Sequence, residues 1–252
     1  MKYKEDFIQE IVDFYKAQLS FIRNIKLSKN VDNISHQHIL SHGTYAPWLD
    51  DQSFIEAYDN IKAHTLVDIY RCYELWSLMK QQHGLTGDVL EVGVWKGGTG
   101  ALLGIIANKI NNNINIYLAD TFKGVVKASG NDSQYKGGEH SDTSLPLLEK
   151  LISKQKLKNV HVLQGIFPDE VNFGDNIPLL RLCHIDVDTY QSAKDIFYYI
   201  WPHIEAGGIV VFDDYGFWGC EGVTKLCNEI DVNDGTFIYN INGHGIFVKN
   251  MD

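Results

Sequence analysis

The chain has 252 residues, a hydrophobic fraction of 44% and a formal net charge of −10. That is enough apolar material for one α/β domain with a helical extension. The negative balance argues against a nucleic-acid groove, although a small anionic substrate needs only a few local cations.

Cys72, Cys183, Cys220 and Cys227 are scattered, with no C-x-x-C pair. That spacing suits free buried thiols in a reducing compartment better than a disulfide frame or a zinc site. Residues 1–6 carry charges and lead into an amphipathic pattern, and no later run reaches the length of a membrane span. A cytoplasmic protein without membrane or nucleic-acid partners is expected.

In chain order, residues 4–24 read as a helix, with Phe7, Ile11, Phe14 and Leu19 among its apolar positions. Residues 26–53 are polar and loop-like. They hold His36, His38 and His42, but the run Ser35–His42 has no accompanying acids, so a solvated loop is favoured over a metal site. Phe54 to Gln82 gives one or two helices with Leu66, Ile69, Tyr73, Leu75 and Leu78 on an inner face. Residues 1–84 are therefore expected as a helical N-terminal extension, and 85–252 as the α/β domain.

From Gly87 onward strands alternate with helices, the pattern of a mostly parallel sheet with right-handed crossovers. The expected strands are 89–94, 114–119, 160–163, 179–185, 208–212, 236–239 and 245–249. Only Asn240-Ile-Asn-Gly-His lies between the last two, too short for a helical crossover, so they form an antiparallel hairpin. The result is a seven-stranded sheet with one reversed strand, a Rossmann-like α/β fold.

The first strand breaks into Gly93, Gly97, Gly98 and Gly100 before a helical run begins. The dinucleotide spacing G-x-G-x-x-G is absent, which weighs against a nicotinamide-dependent oxidoreductase. What stands here, Glu91-x-Gly93-x-x-x-Gly97-Gly98, resembles motif I of the S-adenosylmethionine (SAM) methyltransferases. Asp120, at the tip of the second strand, is placed to accept hydrogen bonds from ribose hydroxyls.

Two strand ends carry four acids, Asp186 and Asp188, then Asp213 and Asp214. The strands are expected to be neighbours, and clustered carboxylates repel unless a cation sits among them. Oxygen-only ligation favours Mg²⁺, with Mn²⁺ the alternative. The bland reading is that Asp188 or Thr189 merely caps the helix that starts at Tyr190.

His184-Ile-Asp-Val-Asp-Thr-Tyr190 followed by Val211-Phe-Asp-Asp-Tyr-Gly216 resembles the macrocin O-methyltransferase family, SAM- and Mg²⁺-dependent enzymes that methylate sugar hydroxyls on natural products. Glu91–Gly98, Ala119–Gly124 and Val162–Asp169 resemble it too, and the likeness spans about 85–250. It implies Asp186, Asp213 and Asp214 as metal ligands and Asp188 as the base. The roles of Asp186 and Asp188 can also be exchanged, or Asp188 can be a further ligand. SAM is expected to lie along Glu91, Gly93, Val94, Trp95, Gly97, Asp120, Thr121, Gln164, Gly165 and Asp186.

The sequence departs from the family pattern at Val125–Asp142, a long polar insert read as a lid over the acceptor pocket. Tyr45, Lys127, Lys136, His140 and Tyr215 are the candidate acceptor contacts, with the lysines and histidine placed to meet a phosphate. The expected acceptor is a nucleotide-linked sugar for a surface polysaccharide; the alternative is a deoxysugar on a macrolide-type natural product. A homo-oligomer is expected.

Overall fold

The computed structural model describes residues 9–18, 20, 28–31, 33–37, 43 and 45–251. It divides into two compact units, Met1–Ala46 and Pro47–Asp252. In the first unit residues 9–18 are helical; the rest of the expected helix over 4–24 lies outside the described residues, apart from residue 20. Strands β1 (Ser28–Val31) and β2 (Ile34–Gln37) pair antiparallel with Val31 opposite Ile34. This hairpin corrects the loop expected over 26–53. Each strand carries a single apolar residue, so no period-2 signal marks it. Asn33 closes it at φ 66°, a conformation that asparagine tolerates. His38 and His42 lie outside the described residues.

The second unit opens with helices α1 (Gln52–Ile61) and α2 (Ile69–Gln81). An aspartate caps each N-terminus. Asp51 accepts from Phe54 N at 3.0 Å, and Asp68 accepts from Tyr70 N and Arg71 N at 2.8 and 3.1 Å. Asp51 also accepts from Trp76 Nε1 at 3.1 Å, joining the two helices. Phe54, Ile61, Leu75 and Trp76 share one core with Leu102, Leu103 and Ile106. The second compact unit therefore takes in these helices and begins at Pro47.

Strands β3 (Asp88–Val92), β4 (Ile116–Asp120), β5 (Val160–Gln164), β6 (Leu180–Ile185), β7 (Ile204–Phe212), β8 (Gly235–Tyr239) and β9 (Gly245–Lys249) form one sheet. Its order is β5-β4-β3-β6-β7-β9-β8, and β9 is the reversed strand, antiparallel to both neighbours. Between the strands lie α3 (Gly98–Ile110), α4 (Leu145–Lys154), α5 (Tyr190–Ile200) and α6 (Glu221–Glu229). Strand β7 starts four residues earlier than the sequence suggests, because Gly207 at φ 82° and a register shift opposite Leu180–Leu182 interrupt its pattern.

Alternation along the strands assigns their side chains to two cores. Val89, Leu182, Val211 and Ile246 face α1, α2 and α3, whereas Leu90, Cys183, Phe212 and Phe247 face α5 and α6. The polar residues obey the same parity. Glu91, His184, Asp213 and His244 fall on the α2–α3 face, and Glu91 pairs in register with His184. All four cysteines are buried and free. Among the described residues no helix is long and apolar enough to cross a membrane.

Candidate active site

The shared parity creates a polar row across the sheet. Glu91 Oε1 lies 2.8 Å from His184 Nδ1, and His184 Nε2 lies 3.3 Å from Asp213 Oδ1. The same oxygen lies 3.0 Å from His244 Nε2, whose Nδ1 is 2.6 Å from Glu74 Oε2 on α2. Arg71, also on α2, pairs with Asp213 Oδ2 and with Asp68 at 2.9 Å. Burial works to raise the Asp213 pKa, but hydrogen bonds from both histidines and the Arg71 charge outweigh it and hold the carboxyl well below its usual range. For His184 burial pulls the pKa down, and the bonds to Asp213 and Glu91 win, raising it to about 10.

The neighbouring acids face the other way, into a cavity of about 280 Å³ at the carboxyl ends of the strands. Asp186, Asp188, Asp213 and Asp214 all line it, as the sequence implied. Oxygens of Asp186, Asp213 and Asp214 lie within 4.8 Å of one another. Burial raises the Asp186 pKa, and the charges of Asp213 and Asp214 push it further. Asp214 is raised in the same way, by burial and by Asp188 and Asp213. A divalent cation would offset this repulsion, and hard carboxylate donors suit Mg²⁺ or Mn²⁺. The residues therefore fit such an ion. Asp213 is the least open of the three, because Arg71, His184 and His244 already bond its oxygens.

Asp188 sits at φ 62°, a sparsely populated region for a non-glycine residue. Its N–H donates to Asp214 Oδ2 at 3.0 Å. It does not cap α5, and neither does Thr189; Asp132 from the insert accepts from Tyr190 N at 2.8 Å instead. The capping explanation for Asp188 is thereby removed.

On the expected SAM side, Gly93, Val94, Trp95, Asp120, Thr121 and Gly165 line the cavity. Asp120 accepts from Trp95 N at 2.8 Å and Phe122 N at 2.6 Å, which fixes it while leaving acceptor capacity. Gly93 is required for a reason internal to the chain: at φ 90° its Cβ would lie 1.6 Å from the Asp186 carbonyl oxygen. Three candidates are placed elsewhere. Glu91 is fully buried beneath Gly100 and bonded to His184, because its parity turns it under α3. Gly97 is the N-cap of α3 and packs on Leu148, and Gln164 is exposed outside the cavity lining.

The acceptor candidates separate similarly. His140 lines the cavity. Lys127 instead pairs with Asp169 and Asp195 at 2.7 and 2.6 Å, and exposed Lys136 reaches Ser133 O at 3.4 Å. Tyr215 is buried, with its hydroxyl 3.0 Å from Asn228 and its ring against Phe237. Tyr45 belongs to the N-terminal unit and its side chain is exposed. The cavity also takes residues not singled out as site candidates, among them Leu66, Tyr135, Phe217 and Cys220. Arg71 is buried and ion-paired with Asp213.

Residues 26–249 match the family described as Macrocin-O-methyltransferase (TylF). The chain belongs to that family. It is 27% identical over 242 residues to the mycinamicin III 3''-O-methyltransferase of Micromonospora griseorubida, covering 88% of this chain and 93% of that protein. It is 25% identical over 203 residues to the 8-demethyl-8-(2,3-dimethoxy-alpha-L-rhamnosyl)-tetracenomycin-C 4'-O-methyltransferase of Streptomyces olivaceus, covering 73% and 75%. Its fold matches the solved structure of the O-methyltransferase NovP with a TM-score of 0.64 and 22% identity, covering 75% of this chain and 83% of that one. The protein is thus a SAM-dependent O-methyltransferase with the class I methyltransferase sheet.

Proposed function

We propose that this O-methyltransferase methylates a hydroxyl of a sugar carried on a small natural-product aglycone, with the help of a divalent metal. One observation carries the choice of acceptor. Five aspartates line the cavity, no lysine does among the described residues, and Arg71 is committed to Asp213 and Asp68. A nucleotide-linked sugar would bring its diphosphate into that field without a lysine or an uncommitted arginine to meet it. Lys127 and Lys136, the expected phosphate contacts, are engaged elsewhere. At the mouth Leu66 is 63% exposed and Trp218 51%, an apolar platform suited to an aglycone. The names of the two curated relatives, both acting on glycosylated or macrolide-type compounds, point the same way.

Asp186, Asp213 and Asp214 would hold the metal. When bound, SAM supplies a methyl group on a sulfonium, and the ion supplies positive charge that acidifies a nearby sugar hydroxyl. Asp120 and Thr121 orient the ribose, and the backbone at Gly93–Trp95 receives the amino-acid end. Asp188 accepts the hydroxyl proton as the oxygen bonds to the methyl carbon and the carbon–sulfur bond breaks. The cavity walls hold the acceptor in line and exclude water.

The test is methyl transfer from SAM to two acceptor sets, deoxyhexosyl glycosides with apolar aglycones and nucleoside diphosphate deoxyhexoses, each with and without EDTA. Turnover of the glycosides that EDTA abolishes supports the reading. Turnover confined to the nucleotide sugars overturns the acceptor assignment.

A further inference from the structure

Trp95 sits at φ 47°, a conformation that glycine adopts without strain and a bulky residue rarely does. Such a residue persists where its surroundings over-determine it, and it points to a task for the side chain. All three hydrogen-bonding groups of Trp95 are engaged. Its N–H donates to Asp120 Oδ2 at 2.8 Å. Its carbonyl accepts from Thr143 Oγ1, and its indole Nε1 donates to Asp142 Oδ1 at 2.8 Å. The other Asp142 oxygen lies 2.6 Å from Lys96 Nζ, which itself stands 4.0 Å from the centroid of the Trp95 ring. One exposed carboxylate thus bridges the indole and the ammonium of two adjacent residues.

Asp142 closes the polar insert, and the insert is folded back on its own start. Val125 N donates to Glu139 O at 2.8 Å, and Gly138 N donates to Val125 O at 2.9 Å. The same insert brings Tyr135 and His140 to the cavity lining. The segment that walls the acceptor side is therefore fastened to the glycine turn at Asp142 and Thr143. Through the Trp95 N–H that fastening reaches the acid at the tip of β4.

We infer that Asp142 is a positioning residue for SAM, whose two oxygens hold the Trp95 indole and the Lys96 ammonium and so set the turn that fixes Asp120 for the ribose. An aspartate suits the task, since its two oxygens accept from two donors at once. Thr143 completes the clamp from the same segment. The insert thereby supports the cofactor site as well as walling the acceptor pocket. The inference rests on the reading of Asp120 and Gly93–Trp95 as the SAM contacts.

The test is SAM affinity by calorimetry for Asp142→Ala, Asp142→Asn, Trp95→Phe, the Asp142→Ala/Trp95→Phe double variant and Asp120→Asn, with thermal unfolding and glycoside kinetics in parallel. Asp142→Ala should weaken SAM binding about 3- to 10-fold and raise the KM for SAM by the same factor, with acceptor KM and Tm unchanged. Asp142→Asn keeps an oxygen for the indole and should recover most of that loss. Phenylalanine keeps a ring on the cavity wall, and the double variant should fall short of the product of the two single losses, since both cut the same bond. Undiminished SAM affinity in Asp142→Ala, a rise in acceptor KM alone, or multiplying losses in the double variant would overturn the inference. Undiminished SAM affinity in Asp120→Asn would instead remove the cofactor reading on which it rests.

Discussion

Asp213 and Asp214 are adjacent in the chain and live in opposite electrostatic settings. Asp213 points under α2 into a row that supplies Arg71, His184 and His244, and its carboxyl is held ionised. Asp214 lines the cavity with Asp186 and Asp188, and burial with the charges of Asp188 and Asp213 pushes its pKa up. A single step of strand parity separates a carboxylate that Arg71 and two histidines already brace from one set among other acids, and a bound cation would draw on both. The row serves the framework by tying α2 to four strands, and the cavity cluster is left with mutual repulsion that a ligand can relieve.

The largest effect should come from the cavity side. Asp188→Asn should lower kcat by about 100- to 10,000-fold, the range for a lost general base. Asparagine tolerates the positive φ, so SAM binding by calorimetry should be unaffected. On the row side, Asp213→Asn leaves Arg71 and two buried histidines without their carboxylate and should destabilise the protein by about 3–5 kcal/mol, read by denaturant unfolding. His184 sharpens the contrast through pH. Its folded pKa of about 10 lies above the unfolded value of ~6.5, so its stabilisation is complete below ~6.5 and is lost as pH rises toward 10. The unfolding midpoint should fall across that interval in the wild type and stay flatter in His184→Gln. The smallest effect has the opposite sign: Asp214→Asn, measured in EDTA, should raise Tm by about 2–4 °C by relieving repulsion. A loss of stability there equal to that of Asp213→Asn would erase the distinction between the two regions.

Much of the architecture is legible in the residues. The alternation of apolar runs and helical patterns marks all seven strands of the main sheet, and the short Asn240–His244 link marks the reversed one. The acid tips of β6 and β7 are also visible, since strand ends in such a sheet form the binding edge. Glu91 is the instructive case. Motif spacing places it with the cofactor, but it shares parity with Val89, which turns it beneath α3. That signal was present in the strand pattern. The row itself was not legible, because it needs the spatial neighbours β9 and α2, far apart in the chain. Nor was the role of the insert. Its polar composition reads as a lid with Lys127 placed to meet a phosphate, whereas Asp132 is spent on capping α5 and Lys127 on Asp169 and Asp195. The β1–β2 hairpin lacks an apolar face and leaves no trace in periodicity.

The most direct measurement is methyl transfer by thoroughly chelated protein, followed by readdition of Mg²⁺ or Mn²⁺, with SAM binding monitored in parallel. Loss of turnover in chelator, with SAM still bound and activity restored by the ion, is the expected result. Undiminished turnover by the chelated enzyme would contradict the assignment of Asp186, Asp213 and Asp214 to a metal.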